Sequence, residues 1–136
     1  MTKDELIDLI KDAGYGVLAT VEANQPKVRP MMPYLDDEGN FLLAVLSHSR
    51  TINQIKQNPL VEMCYVDRKM SFARICGQAK LSTDIAKKQA VWNNIAMLRQ
   101  FFSGPEDPNF VLIEIDTQTV EAMTPRQKQP DRLTLK

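Results

Sequence analysis

The sequence predicts a mainly β fold, an antiparallel barrel with peripheral helices, and three observations predict it. Short runs rich in β-branched and aromatic residues recur along the chain, separated by clusters of Asn, Asp, Gly and Pro. No repeated strand–helix–strand unit of the kind that builds a parallel sheet is present. Helical periodicity is confined to the N-terminus, a short segment around Ile52 and Ile55, and a longer one after Asp84. Many antiparallel strands with few helices are accommodated best by a sheet that closes on itself.

The elements follow in order. Thr2 precedes a first turn containing Asp4 and Glu5, and Leu6, Ile7 and Ile10 recur at helical spacing up to Ala13 and Gly14. From Gly16 the pattern becomes GVLATVE, a strand closed by the turn residues Ala23, Asn24, Gln25 and Pro26. Lys27 to Tyr34 reads as the returning strand; Pro30 and Pro33 each remove a ladder donor and place it at an edge, at a bulge or against a ligand. Asp36 to Asn40 form a turn, and Phe41 to Leu46 is a continuous apolar strand. The polar elbow Ser47 to Thr51 leads into a short helix with Ile52 and Ile55, stopped by Asn58 and Pro59.

Two further strands, Val61 to Val66 and Ser71 to Leu81, flank the turn Asp67, Arg68, Lys69, and Gly77 marks a bulge or a close backbone approach. Ser82, Thr83 and Asp84 offer caps to the longest helix, Ile85 to about Phe102, with Ala90, Val91, Ile95, Leu98 and Phe102 on one face. Ser103, Gly104 and Pro105 end it. Phe110 to Ile115 reads as a strand, and Thr117 to Met123 as its hairpin partner across a turn at Asp116. The expected domain covers 1–124, followed by a polar tail, 125–136, that is mobile or laid on a partner subunit.

Composition narrows the functions. The 136 residues, 43% of them hydrophobic, suit one domain. Seventeen Lys plus Arg balance seventeen Asp plus Glu, so no net field draws the molecule to nucleic acid or to an anionic membrane. Arg126, Lys128 and Arg132 in the tail are too sparse to change that. Cys64 and Cys76 lack metal or redox spacing and are read as buried, reduced thiols. The N-terminus has no leader-like apolar region, and no apolar run approaches the roughly 20 residues that span a bilayer, so a cytoplasmic location is the expectation. No Ser–His–Asp set, carboxylate pair, metal cluster or phosphate-cradling glycine loop is legible. Redox chemistry would therefore have to come from a cofactor.

The order of GVLAT, VRPMM, EGNFLLAV followed by SHSRT, INQIKQNPLVEMCYVD, ICGQAKLS and VLIEIDTQTVEAM resembles that of the pyridoxamine 5′-phosphate oxidase-like, FMN-binding split barrels, over positions 5 to 123. The resemblance implies a six-stranded antiparallel split barrel and a homodimer that holds FMN in clefts at the subunit interface. A small barrel filled by its own side chains has no interior room for a flat ligand, so a groove outside it is required. By this likeness Arg29 reaches the flavin phosphate, and Pro30, Met31 and Met32 run beside the ring. Ser47, Ser49, Arg50 and Thr51 occupy the place of a second group of phosphate ligands. Hydroxyls, a helix start and a guanidinium all suit a phosphate dianion.

The sequence departs from the family at two of these places, with Thr51 where many members carry Lys and Ala44 to Leu46 where a Thr is frequent. Phe72 stands where the vitamin-processing oxidases have Gln, and the chain stops soon after the last expected hairpin. The likeness is therefore to the small nitroimidazole-reductase-like and general-stress members. It implies an oxidoreductase that passes electrons from a reduced nicotinamide to a small organic acceptor. The alternative is a non-enzymatic flavin carrier or sensor, or a split barrel for another cofactor such as haem or a deazaflavin.

Individual residues have plainer readings as well. Arg29 also suits a salt bridge to an acidic neighbour. His48, the only histidine, is the sole candidate for proton transfer near neutrality, although a lone histidine in a polar loop is more often a solvated residue or a cap. Met31 and Met32 fit a ring-lining or a core-filling role, and Trp92 fits burial against the barrel or at a subunit interface.

Overall fold

In the computed structural model, which describes residues 1–136, helix α1 (Lys3–Ala13) starts at a reciprocal cap. Thr2 Oγ1 accepts from the Glu5 amide at 3.1 Å, and Glu5 Oε2 accepts from the Thr2 amide at 3.2 Å. Leu6 and Leu9 turn its buried face onto the barrel. Strands β1 (Gly16–Glu22) and β2 (Gln25–Met31) form a hairpin whose two turn residues, Ala23 and Asn24, both have positive φ. Strands β3 (Tyr34–Leu35) and β4 (Phe41–Leu46) follow, then helix α2 (Arg50–Gln57), β5 (Leu60–Val66) and β6 (Phe72–Ser82). Helix α3 (Ile85–Asn94), a 3-10 turn (Ala96–Gln100), β7 (Phe110–Met123) and β8 (Asp131–Leu133) complete the chain.

The strands are antiparallel in the order β2-β1-β5-β6-β7-β4-β3, with β8 added along β7. Setting aside the short β3 and β8, this is the expected six-stranded barrel. Its two ends, β2 and β3, are neighbours in sequence, yet no ladder joins them, and that gap is the split. Pro26 and Pro30 lie on β2, an edge strand, where a missing amide donor is tolerated.

Strict inside–outside alternation on β1, β5 and β6 supplies the main core, including Leu18, Met63, Tyr65 and Ile75. A smaller core gathers Leu42, Val91, Leu98, Phe102, Phe110 and Leu112 between α3, the 3-10 turn and the outer side of β4 and β7. Phe102 and Phe110 meet there with ring centroids 5.0 Å apart.

Four expectations need correction. Thr117 to Met123 is not a hairpin partner of Phe110 to Ile115: both belong to the single strand β7. Asp116 pairs with Gln78 instead of turning, because β6 runs on past it and pairs with β7 from Leu112 to Met123. Lys27 to Tyr34 is not one strand, since pairing stops at Met31 and resumes with β4 at Tyr34, leaving Met32 and Pro33 at the split. The long helix ends at Asn94, where Ile95 is extended (φ −117°, ψ 90°), before the 3-10 turn begins. Asn94 Nδ2 draws the Ala90 carbonyl at 2.7 Å, a side-chain competitor for the helical ladder. The tail returns to its own barrel through β8, and Leu135 is buried in the main core. The Met1 amine pairs with Asp131 at 2.7 Å. Cys64 and Cys76 are half-buried on the outer face of β5 and β6, and burial raises both thiol pKa values.

Gly77 sits at the register shift between β6 and β7, as its place in the sequence suggests. Tyr65 is a different case. Its ring lies over Gly16, where a Cβ would come within 2.9 Å of it, and stacks near Phe41 at 6.0 Å. Its hydroxyl is buried without a hydrogen-bond partner, and burial pushes its pKa up. Tyr65→Phe is expected to stabilise the fold by about 1 kcal/mol, because phenylalanine leaves no polar group unsatisfied. The measurement is a urea unfolding curve with a higher midpoint and an unchanged slope.

Candidate functional site

At the barrel mouth, beside the split, β1, β2 and the start of α2 form a polar cleft of about 390 Å³. Arg29 rises into it from β2. Its guanidinium donates to the Leu18 carbonyl at 3.1 Å, to Thr20 Oγ1 at 2.8 Å and to Gln54 Oε1 at 2.7 Å. All three acceptors are neutral, and Arg29 forms no ion pair with any carboxylate. The salt-bridge reading of this residue is therefore not what the structure contains. Half-burial lowers the Arg29 pKa, a desolvation cost that an anionic ligand would offset.

Gln54 is the joint of this arrangement. One turn into α2, it is buried; its Oε1 accepts from Arg29 and from the Thr20 hydroxyl, at 2.5 Å, while its Nε2 donates to Glu22 at 2.7 Å. Ser49 caps α2 by accepting from the Thr51 amide at 3.2 Å, which brings the positive end of the helix to the cleft. Arg50 and Lys27 add cationic side chains to its lining.

Ser49 also lines a second cleft, so the two spaces adjoin. This one, about 600 Å³, runs along the split between Pro30–Met32 at the end of β2 and just beyond it and Ala44–Leu46 of β4. Its far wall is the broken end of the α3 segment, from Ile95 to Phe102, and it contains no charged side chain. Met32, Met97, Phe101 and Tyr15 stand at its rim, each at least 41% exposed, so one side of the groove lies open. The wall is held by the following loop. Asp107 accepts from the Ser103 and Asn109 amides at 2.9 Å each, which holds its carboxyl below the usual carboxylate range.

Among the residues expected from sequence, Arg29, Ser49, Arg50 and Thr51 come together in the polar cleft, and Pro30, Met31 and Met32 line the apolar one. Ser47 and His48 line neither. Ser47 turns away to Asn109 at 3.2 Å, and His48 is exposed on the elbow. Thr20, Glu22, Lys27 and Gln54 were not anticipated, nor was the wall formed by Met97 and Phe101. Strand alternation would have paired Thr20 and Lys27 with Arg29 on one face; Gln54, three and four residues after Thr51 and Arg50, shares their side of α2.

The arrangement suits an elongated ligand with a flat apolar part and an anionic end. Residues 1–127 match the family described as pyridoxamine 5′-phosphate oxidase like. General stress protein 26 of Bacillus subtilis (strain 168) is 25% identical over 140 residues, which cover 98% of this chain and 96% of that protein. The crystal structure of general stress protein 26 from Bacillus anthracis str. Sterne superposes with a TM-score of 0.81 at 30% identity, covering 97% of each chain. A pyridoxamine 5′-phosphate oxidase-related, FMN-binding protein from Nostoc punctiforme PCC 73102 shares the fold, with a TM-score of 0.76 at 22% identity over 96% of this chain and 87% of that one. With its split barrel and a match extending over nearly its whole length, the chain belongs to the pyridoxamine 5′-phosphate oxidase-like family.

Proposed function

We propose that this protein binds FMN at the barrel split and acts as a flavin-dependent oxidoreductase on a small organic acceptor, with a reduced nicotinamide as electron donor. The observation that carries the reading is the junction at Ser49 of a cation-lined polar cleft with a charge-free groove. Arg29, Arg50, Ser49 and Thr51 hold the phosphate in this reading, and the backbone beside Met31 and Met32 flanks the ring. Arg29 fits the role because its half-buried charge lacks a carboxylate partner and its position is set by neutral oxygens. Bound FMN supplies hydride and electron transfer; the chain supplies orientation and a groove that excludes water from one ring face.

A second copy of the chain covers the open side of the groove in this reading, making a cytoplasmic homodimer with the flavin at the subunit interface. No helix is long and apolar enough to cross a membrane. His48, exposed and outside both clefts of its own chain, is given no role in this reading.

An absorbance spectrum tests the cofactor. Protein mixed with excess FMN and freed of the unbound fraction is expected to retain a band near ~450 nm at about one flavin per chain, and to bleach when reduced nicotinamide is added under argon. Retention without bleaching would assign a carrier. A colourless protein would remove the flavin reading.

A further inference from the structure

Glu22 is the only anionic side chain lining the polar cleft, which it shares with Lys27, Arg29 and Arg50. Its position is fixed from outside its own strand by Gln54, which donates to Glu22 Oε2 at 2.7 Å. Gln54 has no freedom to reverse its amide, because its oxygen already accepts from Arg29 and Thr20; turning it round would point a donor at a guanidinium. Glu22 forms no ion pair with the cations around it. Its charge is therefore held beside the cleft without being neutralised by a neighbour.

We propose that Glu22 is a specificity-determining residue of this cleft: a fixed negative charge that weakens the hold on a phosphate dianion and keeps a phosphorylated ligand exchangeable. The inference rests on the reading of the cleft as a phosphate pocket. The carboxylate repels the incoming dianion and offsets one of the three cations that attract it. Because Glu22 is exposed, solvent and salt reduce the repulsion, so its effect is modest and depends on ionic strength. A ligand with the same flat ring system but no phosphate is indifferent to it.

The test titrates FMN and riboflavin separately into the full chain and into Glu22→Gln, at low and at high salt, following flavin fluorescence. Glutamine retains an oxygen to accept from Gln54 while removing the charge. The expected result is FMN binding about fivefold tighter in the variant at low ionic strength, a gain that shrinks as salt rises, with riboflavin binding unchanged. Glu22→Ala, which also releases Gln54, is expected to move FMN affinity in the same direction, separating charge from hydrogen bonding. Unchanged or weaker FMN binding in Glu22→Gln, or equal gains for FMN and riboflavin, overturns the proposal. A wild-type protein that binds FMN no better than riboflavin overturns the phosphate reading itself, and this proposal with it; that outcome is visible before any variant is made.

Discussion

Arg29→Ala is expected to weaken FMN binding by about thirty- to a hundredfold, the loss of roughly 2–3 kcal/mol that a charge-assisted contact provides. Riboflavin, which lacks the phosphate, is expected to bind the variant as it binds the wild type. The difference between the two ligands isolates the phosphate contact from any general loosening of the groove. The fold tolerates the change because the acceptors left behind are not orphaned together: the Thr20 hydroxyl still donates to Gln54 Oε1. Arg29→Lys keeps the charge but gives up the planar fork that reaches Leu18, Thr20 and Gln54 at once, and an intermediate affinity is expected. Equal FMN affinity in wild type and Arg29→Ala would remove Arg29 from the site.

A large effect on stability is expected at Gly77. A Cβ there would lie 2.5 Å from the Asp116 carbonyl oxygen and 2.8 Å from Ile115 Cγ2. The first of these is backbone, in a stretch of β7 whose Asp116 and Ile115 are paired with Gln78 and Ala79 just beyond the bulge, so it retreats only by disturbing that ladder. Gly77→Ala is expected to cost about 3 kcal/mol and to lower the melting temperature by roughly 10 °C, measured by circular dichroism. Gly104→Ala is the control: nothing stands within 4 Å of an added Cβ, and no positive φ opposes the change. A melting temperature for Gly77→Ala within a degree or two of wild type would mean that β7 moves aside more easily than its pairing implies.

The strands were legible where alternation met a turn with its own chemistry, as at Asn24 and at Asp36 to Asn40. They were misread where polarity imitated a turn. Asp116 looks like a reversal in isolation, but a polar residue facing solvent in the middle of a strand gives the same local signal, and only the length of β6 distinguishes the two. The tail failed for the opposite reason. Leu133 and Leu135 alternate with polar residues, a strand period too brief to stand out beside Pro125 and Pro130. For the site, Arg29, Ser49, Arg50 and Thr51 were picked out by the family resemblance, with a chemistry that suits a phosphate, and do share a cleft. Gln54 and Glu22 did not stand out, because a glutamine in a helix and a glutamate before a turn have ordinary surface readings. Their role arises from contacts 32 and 34 residues apart in sequence.

Strand β7 pairs with β6 from Leu112 to Met123 across the bulge at Gly77, with β4 through Phe110 to Ile115, and with β8 through Val120 to Ala122. Chain synthesis gives this arrangement a definite order. While residues before 110 are emerging, β4 and β6 both have open edges awaiting the same partner, so the barrel cannot close until β7 has left the ribosome. During that interval the continuous apolar run Phe41 to Leu46 is the most adhesive segment of the nascent chain. Closure then brings together β4 and β7, about seventy residues apart, a long-range pairing that makes folding slow relative to the local β1–β2 hairpin.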